Sequence, residues 1–233
     1  MPCRRCVKGD LTFDTPAGLR CGPTIPTMPS IPAVPASAAL DGLPLLRPTP
    51  PSWATLAAAD LRTFLSDHAV CEQQAALSAM ALIGQYPDDP ELVERMSALA
   101  AEEISHMRRV LGILHRRGWR AAGRRANPWA QGLRAHLKAV QEPWLKADRL
   151  LVGALIEARS CERFTLLHEA SDDAELRALL LDLGPAEKRH WQLFYRLAER
   201  DLPRAEVATR FARWLEIERE LAAAGGVRPT VHG

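Results

Sequence analysis

Apolar residues recur along most of the chain at the three-to-four-residue spacing of an α-helix. This spacing begins near Trp53 and predicts a first long helix from about Leu56 to Gln85. A helix turns once in about 3.6 residues, so residues at this spacing share one face. That face carries Leu61, Leu65, Ala69, Ala76 and Ile83. Pro87 lies just beyond and predicts the end of the helix.

Proline, glycine and aspartate mark the limits of the other helices. Asp89-Pro90 and Gly118 bound a second helix, because proline favours the first turn and glycine the end of a helix. The remaining predicted helices are a short one from Asn127-Pro128, a third long one from Pro143 to about Ala170, a fourth from Asp172-Asp173 to about Arg200, and a fifth between Pro203 and Gly225-Gly226. No segment alternates apolar and polar residues as a half-buried strand would. The pattern predicts an all-α protein, a four-helix bundle with accessory helices.

Both ends of the chain differ from this helical region. Residues 1–51 hold 11 of the 18 prolines and show no helical or strand period. Such a segment buries too little apolar surface to offset the entropy of ordering it. We therefore expect a disordered proline-rich tail over residues 1–51, a helical domain over 52–224 and a flexible C-terminus over 225–233.

Composition excludes several classes of protein. The 233 residues are 47% hydrophobic and 25% charged, which is typical of a globular domain. No run approaches 18 consecutive apolar residues, so we expect no membrane span. Five cysteines are an odd number and do not form a secreted disulfide framework, which favours a reducing, cytoplasmic location.

Acidic residues and histidines fall into a repeated plan on the long helices. Glu103 and His106 form an E-x-x-H motif on the second, and Glu187 and His190 form another on the fourth. Positions i and i+3 face the same way, so each motif presents a carboxylate and an imidazole to one point. A glutamate precedes each motif by 31 and 30 residues on the helix before it; these two are Glu72 and Glu157. We expect all six side chains to meet at one level of the bundle.

Four carboxylates and two imidazoles in a helical core are typical of the di-iron site of ferritin-like proteins. Carboxylates neutralise two metal ions in an apolar interior, and without metal Glu72 and Glu157 would be buried charges. The third-helix residue has an alternative. Glu162 lies on another apolar face of that helix. The matching 31- and 30-residue spacings favour Glu157 as the ligand, and Glu162 would then support a ligand or form a salt bridge with a nearby arginine. His68, one turn before Glu72, is a second candidate to support a ligand from behind.

One stretch, Ile156-Glu-Ala-Arg-Ser-Cys-Glu-Arg-Phe164, resembles the bacterial tRNA hydroxylases of the MiaE type. The resemblance extends to residues 67–72, 102–107, 143–150 and 187–190, and covers about residues 53–222. It implies a non-haem di-iron monooxygenase that uses dioxygen and two electrons to hydroxylate the isopentenyl group of 2-methylthio-isopentenyladenosine, just after the anticodon of tRNA. It also implies a reductase or ferredoxin as electron donor. Carried onto this sequence, the iron ligands are Glu72, Glu103, His106, Glu157, Glu187 and His190.

The distribution of charge favours an RNA partner. The net charge is only +2, but no acidic residue lies between Ile104 and Gln141. The basic residues of that window are Arg108, Arg109, Arg116, Arg117, Arg120, Arg124, Arg125, Arg134 and Lys138. Basic side chains bind phosphates, and Trp119 and Trp129 between them are candidates to stack on unpaired bases of the anticodon stem-loop. Trp129 follows Asn127-Pro128, and its alternative role is that of a packing anchor. The alternative is a solvated connector whose arginines pair with acids elsewhere.

Three other functions fit parts of the pattern. A ferritin- or rubrerythrin-like protein would use the same six ligands to oxidise iron or to remove peroxide. A quinone-hydroxylating di-iron enzyme would expose an apolar face to a membrane. A metal-free helical RNA-binding protein would explain the arginines but not the paired glutamates and E-x-x-H motifs.

Overall fold

The structure, a computed structural model, describes residues 42–121, 127–139 and 141–232. Within these ranges the secondary structure is helical and no β-strand is present. The helices are α1 (Pro51–Ala59), α2 (Leu61–Gln85), α3 (Pro90–Arg116), α4 (Pro128–Ala135), α5 (Trp144–Ala170), α6 (Ala174–Asp201) and α7 (Arg204–Ala224). A 3₁₀ turn, His136–Ala139, follows α4. The expected all-α architecture is confirmed.

The four long helices form two hairpins. The helix α2 packs along α3, and α5 packs along α6, while α3 also contacts α6 and so joins the pairs. Aspartate side chains cap the second helix of each hairpin: Asp89 accepts a hydrogen bond from Leu92 N, and Asp173 from Leu176 N. These caps satisfy backbone donors that have no partner inside the helix. Both α1 and α7 pack against α5, and α4 packs against α7.

The first predicted helix is two helices in the structure. Asp60 separates α1 from α2, with backbone angles φ −130° and ψ 65° outside the helical region. Its carboxylate accepts a hydrogen bond from Thr63 N and caps α2. The apolar period runs through this position, so periodicity predicted one continuous helix where the aspartate side chain starts a new one.

The packed structure begins before residue 52. Residues 1–41 of the expected tail lie outside the described residues, but Leu43, Leu45 and Thr49 are buried. Thr49 donates two hydrogen bonds to Glu162 on α5, at 2.8 Å from its backbone nitrogen and 2.7 Å from its hydroxyl. The boundary at residue 51 was therefore placed too late, because these side chains find partners on α5 that the sequence does not reveal.

The last described residues are also packed rather than flexible. Thr230, Val231 and His232 are buried. The indole of Trp53 donates to Thr230 O at 3.0 Å, and Val231 N donates to the carboxylate of Asp67 at 2.8 Å. These bonds hold Thr230 and Val231 against α1 and α2. The expected flexibility thus does not extend to residues 230–232, whereas it stays a prediction for 225–229, and Gly233 lies outside the described residues.

The bundle has an apolar end and a polar centre. The apolar end is built on Phe64, Leu65, Leu114, Phe164 and Leu183, all nearly inaccessible to solvent. Buried carboxylates follow on the same four long helices, further along the bundle. None of the described helices combines the length and the apolar character that crossing a membrane requires.

Candidate metal centre

Each of the four long helices buries one of the predicted glutamates, and α3 and α6 each add a histidine. All six residues are at most 5% exposed. They are Glu72 on α2, Glu103 and His106 on α3, Glu157 on α5, and Glu187 and His190 on α6. Burying so many ionisable groups together costs free energy unless they are paired with one another or with a cation.

The six side chains form two overlapping clusters. The first contains Glu72 and His106, the second contains Glu157 and His190, and both contain Glu103 and Glu187. Within each cluster, one ligand atom of every residue lies within 4.8 Å of the others. Two neighbouring positions, each surrounded by three carboxylates and one imidazole, are what the repeated sequence plan predicts.

The imidazoles of His106 and His190 both direct their Nδ1 atom toward the carboxylates. The Nδ1 atom of His190 lies 2.9 Å from one Glu103 oxygen, and the Nδ1 atom of His106 lies 3.4 Å from the other. Across the described residues, both Glu103 oxygens and both Nδ1 atoms are buried without a hydrogen bond. Buried polar atoms nearly always have partners. These atoms are metal-ligand types, so their lack of hydrogen bonds fits a site for metal ions.

Proton affinities at the cluster reflect burial and like charges. Burial raises the pKa values of Glu72 and Glu157 well above the usual range, and neighbouring carboxylates raise them further. For His106, burial opposes the charged form, but the carboxylates of Glu103 and Glu72 raise its pKa to about 10. Positive charge is thus favoured at the centre, and metal ions would supply it in place of protons.

Glu102, which sequence reasoning gave no role, lies behind both histidines. Its carboxylate is 3.1 Å from Nε2 of His190 and 3.9 Å from Nε2 of His106. The two rings are stacked, with centroids 6.0 Å apart. Arg189 donates to Glu102 at 3.0 Å from the surface side. The sequence signal for this role is the i,i+4 spacing of Glu102 and His106 on α3. Metal-binding histidines commonly donate a hydrogen bond from their other ring nitrogen to a carboxylate, and Glu102 is placed to accept one.

His68 lies directly behind Glu72. Its Nε2 atom is 2.5 Å from Glu72 Oε1, and its ring packs between Phe64 and Phe164. Burial in this apolar setting lowers the pKa of His68 to about 4, so the ring is neutral near pH 7. A neutral His68 with its proton on Nε2 donates a hydrogen bond to Glu72 and fixes the direction of that carboxylate.

Glu162 belongs to a different network, outside both clusters. It forms an ion pair with Arg159, which also pairs with Glu218 on α7 at 2.6 Å. All three side chains are at most 2% exposed. Five residues along a helix turn a side chain by about 140°, so Glu157 and Glu162 leave α5 in different directions. The structure gives Glu162 an arginine partner and places Glu157 at the cluster.

A family model described as tRNA-(MS[2]IO[6]A)-hydroxylase (MiaE) matches residues 42–233. The chain belongs to the MiaE family. Two relatives are named tRNA 2-(methylsulfanyl)-N(6)-isopentenyladenosine(37) hydroxylase. The one from Pseudomonas putida is 42% identical over 161 residues, 69% of this chain and 78% of that protein. The one from Salmonella typhimurium is 29% identical over 225 residues, 75% of this chain and 82% of that protein.

Among solved structures, a Synechococcus protein described as protein 43 with aldehyde deformylating oxygenase activity has the same fold. It is 36% identical, with a TM-score of 0.77 over 81% of this chain and 95% of that one. The predicted ferritin-like bundle is confirmed. As a member of the MiaE family the chain is a tRNA hydroxylase, an oxidoreductase.

In this MiaE family member, several arginines of the basic window are engaged with acids. Arg117 lies 2.8 Å from both Asp173 and Glu175, and Arg116 lies 2.6 Å from Glu175. Arg109 pairs with Asp182 at 2.6 Å. These pairs join α3 to α6. They match the alternative in which the arginines pair with acids elsewhere in the chain. The distribution of charge along the sequence does not reveal these pairs, because the acidic partners are more than 50 residues away.

The other predicted RNA-binding residues are either exposed to solvent or outside the described part of the chain. Arg108, Arg120 and Arg134 are exposed. Arg124 and Arg125 lie outside the described residues, as does the side chain of Lys138. The tryptophans pack on the protein: Trp129 is buried and stacked on His232 at 4.8 Å, and Trp119 is half-buried beside Arg117. Trp129 thus has the packing role that was the alternative for it. Stacking of the half-buried Trp119 on a base stays a prediction.

Proposed function

We propose that this protein is an oxygen-dependent di-iron monooxygenase. Its substrate would be the isopentenyl group of 2-methylthio-isopentenyladenosine beside the tRNA anticodon, and its product the hydroxylated, ribosylzeatin-type nucleoside. Family membership and the names of both relatives support the reaction and the substrate. The observation that carries the proposal is the pair of overlapping buried clusters.

The clusters suggest how the residues divide two iron ions between them. Glu72 and His106 would hold one ion, Glu157 and His190 the other, and Glu103 and Glu187 belong to both positions. Four carboxylates offset the four positive charges of two ferrous ions, which an apolar interior would otherwise exclude. A mixture of imidazole and carboxylate ligands suits iron, whereas structural zinc sites favour cysteine and histidine.

The reaction also needs dioxygen, two electrons and two protons. One oxygen atom enters a C–H bond of the isopentenyl group, and the other leaves as water. Bound iron would supply the activation of dioxygen. The six cluster residues would hold the ions, their burial would keep water from the site, and the residues around them would position the side chain to be hydroxylated. A reductase or ferredoxin would supply the electrons, which suits a cytoplasmic enzyme.

The test combines metal content with turnover. Protein reconstituted anaerobically with ferrous iron should bind close to two ions per chain. Given a chemical or enzymatic reductant and air, it should convert the nucleoside in tRNA from a hydroxylase-deficient strain, and mass spectrometry would detect a gain of one oxygen atom. Protein that binds iron but leaves the nucleoside unchanged would contradict the substrate. Absence of iron binding would contradict the di-iron mechanism.

A further inference from the structure

A cavity of about 540 Å³ opens beside the candidate metal centre. Residues of α2, α4 and α5 line it, together with Phe194 of α6 and His232. Glu157 is both part of this lining and a member of the second cluster. The volume lies within the range of roughly 300–1,000 Å³ that is usual for small-molecule sites.

Part of the cavity wall is apolar, although Asp67 and Cys71 also belong to the lining. Ile156, Val70 and Phe194 contribute its walls. Gly153 allows Phe194 to lie close to α5, since a Cβ atom at this position would be only 3.1 Å from the Phe194 ring. A branched hydrocarbon of five carbons matches these walls, because burying its apolar surface is favourable and no polar group of the ligand would be left without a partner.

Four amide side chains also line the cavity. Gln73 and Gln74 come from α2, and Asn127 and Gln131 from α4 or its cap. Amides both donate and accept hydrogen bonds, as the edge of an adenine base requires. Arg134, one turn after Gln131, is exposed and also lines the cavity. A guanidinium at this place is suited to a phosphate oxygen of the nucleotide chain.

The end of the chain completes the cavity wall. The ring of His232 is stacked on that of Trp129, a residue of α4, with an interplanar angle of 10°. Arg163 holds the preceding carbonyl, Val231 O, at 2.6 Å. The wall is therefore fixed in place by buried contacts rather than formed by a free tail.

From this arrangement we infer that the modified adenosine enters between α2 and α4. Its isopentenyl group points toward Glu157, its base lies among the amides, and Arg134 binds a neighbouring phosphate. The tRNA-binding face is then the α2–α4 face, whereas Arg109, Arg116 and Arg117 serve mainly to join α3 to α6. This inference rests on the proposed function and names the residues that would recognise its substrate.

Binding of a 17-nucleotide anticodon stem-loop tests this placement. Fluorescence anisotropy would compare a probe that carries 2-methylthio-isopentenyladenosine with one that carries adenosine. Arg134→Ala should weaken binding of both probes about five- to tenfold at 0.1 M salt and lower the salt dependence by about one phosphate contact. Arg116→Ala, a matched control in the same basic window, should leave both affinities unchanged. Equal losses for both variants, or a loss for Arg116→Ala alone, would overturn the placement.

A second pair of variants tests the cavity itself. Ala75 of α2 also lines the cavity. Ala75→Trp should fill the cavity and abolish the preference for the modified probe, with iron content and melting temperature unchanged. Gln131→Leu should reduce the same preference with little effect on adenosine-containing RNA. If both variants retain the full preference, the nucleoside does not bind here. Because these readouts measure binding, failure of the placement is distinguishable from failure of the reaction, which would appear as wild-type protein that binds the probe but does not hydroxylate it.

Discussion

The carboxylate of Glu102 lies 3.1 Å from Nε2 of His190, on the side of the ring opposite to the Glu103 carboxylate. Each nitrogen of the His190 imidazole therefore faces a carboxylate, one partly exposed and one buried. The hydrogen bond from His190 lowers the pKa of Glu102 to about 2, so Glu102 is ionised at neutral pH. An ionised Glu102 favours a proton on Nε2, which leaves Nδ1 available as a metal ligand.

Replacing Glu102 by glutamine should weaken metal binding about 10- to 100-fold, the range usual for losing a carboxylate behind a histidine ligand. The amide keeps the shape but loses the charge that orients the ring. Titration of the apoprotein with Co(II), followed by its visible absorption, measures the affinity without turnover. Glu94→Gln, at an exposed position on the same helix, is the control. Equal affinities for the two variants would show that Glu102 does not position His190.

Glu103→Gln should remove both metal ions, because Glu103 belongs to both clusters. Glu72→Gln alters only the first cluster and should leave one ion bound more tightly than the other. Iron per chain after anaerobic reconstitution separates the two patterns, and far-UV circular dichroism should show the same helix content in both variants. Two firmly bound ions in the Glu103 variant would contradict its shared position.

Arg159 forms ion pairs with two buried carboxylates, and its removal should destabilise the fold. Arg159→Ala would take from Glu162 and Glu218 the guanidinium that each contacts directly. Breaking such a pair costs about 3–5 kcal/mol in the free energy of unfolding. Urea denaturation measures the loss. Arg219→Ala removes a guanidinium from an exposed pair with Glu216 and should change stability by less than about 1 kcal/mol. Similar losses in both variants would contradict the buried role of Arg159.

Asp89 should make stability depend on pH in the acid range. Burial opposes its ionisation, but Arg200 and Lys146 hold the pKa of Asp89 well below its usual range. Since the folded pKa is lowered, the stabilisation is complete above the unfolded value of about 3.9 and is lost as pH falls toward the folded value. The stability difference between wild type and Asp89→Asn should thus be constant from pH 5 to 7 and shrink below about pH 4. A difference that grows on acidification would contradict this sign.

Much of the helical architecture could be predicted from sequence because its signals are local. Prolines, caps and a 3.6-residue apolar period depend on neighbours within one or two turns. They located the starts and ends of α3, α5, α6 and α7 to within a few residues. The break at Asp60 was missed because a capping side chain and a solvent-exposed helical aspartate look alike in sequence. The packed segments around Thr49 and Val231 were missed because their partners, Glu162 and Asp67, are more than 100 residues away.

The sequence alone determined which residues are candidates for the metal centre. The candidates are the two E-x-x-H motifs and the glutamates 31 and 30 residues before them. Helix geometry turns the glutamate and histidine of each motif to the same face, and the structure brings all six side chains together. Only the tertiary structure decided which partners the remaining charges have. It placed Glu162 with Arg159, Glu102 behind both histidines, and Arg116 and Arg117 against α6. Helical periodicity fixes the direction of a side chain, but the charge it meets depends on how separate helices pack.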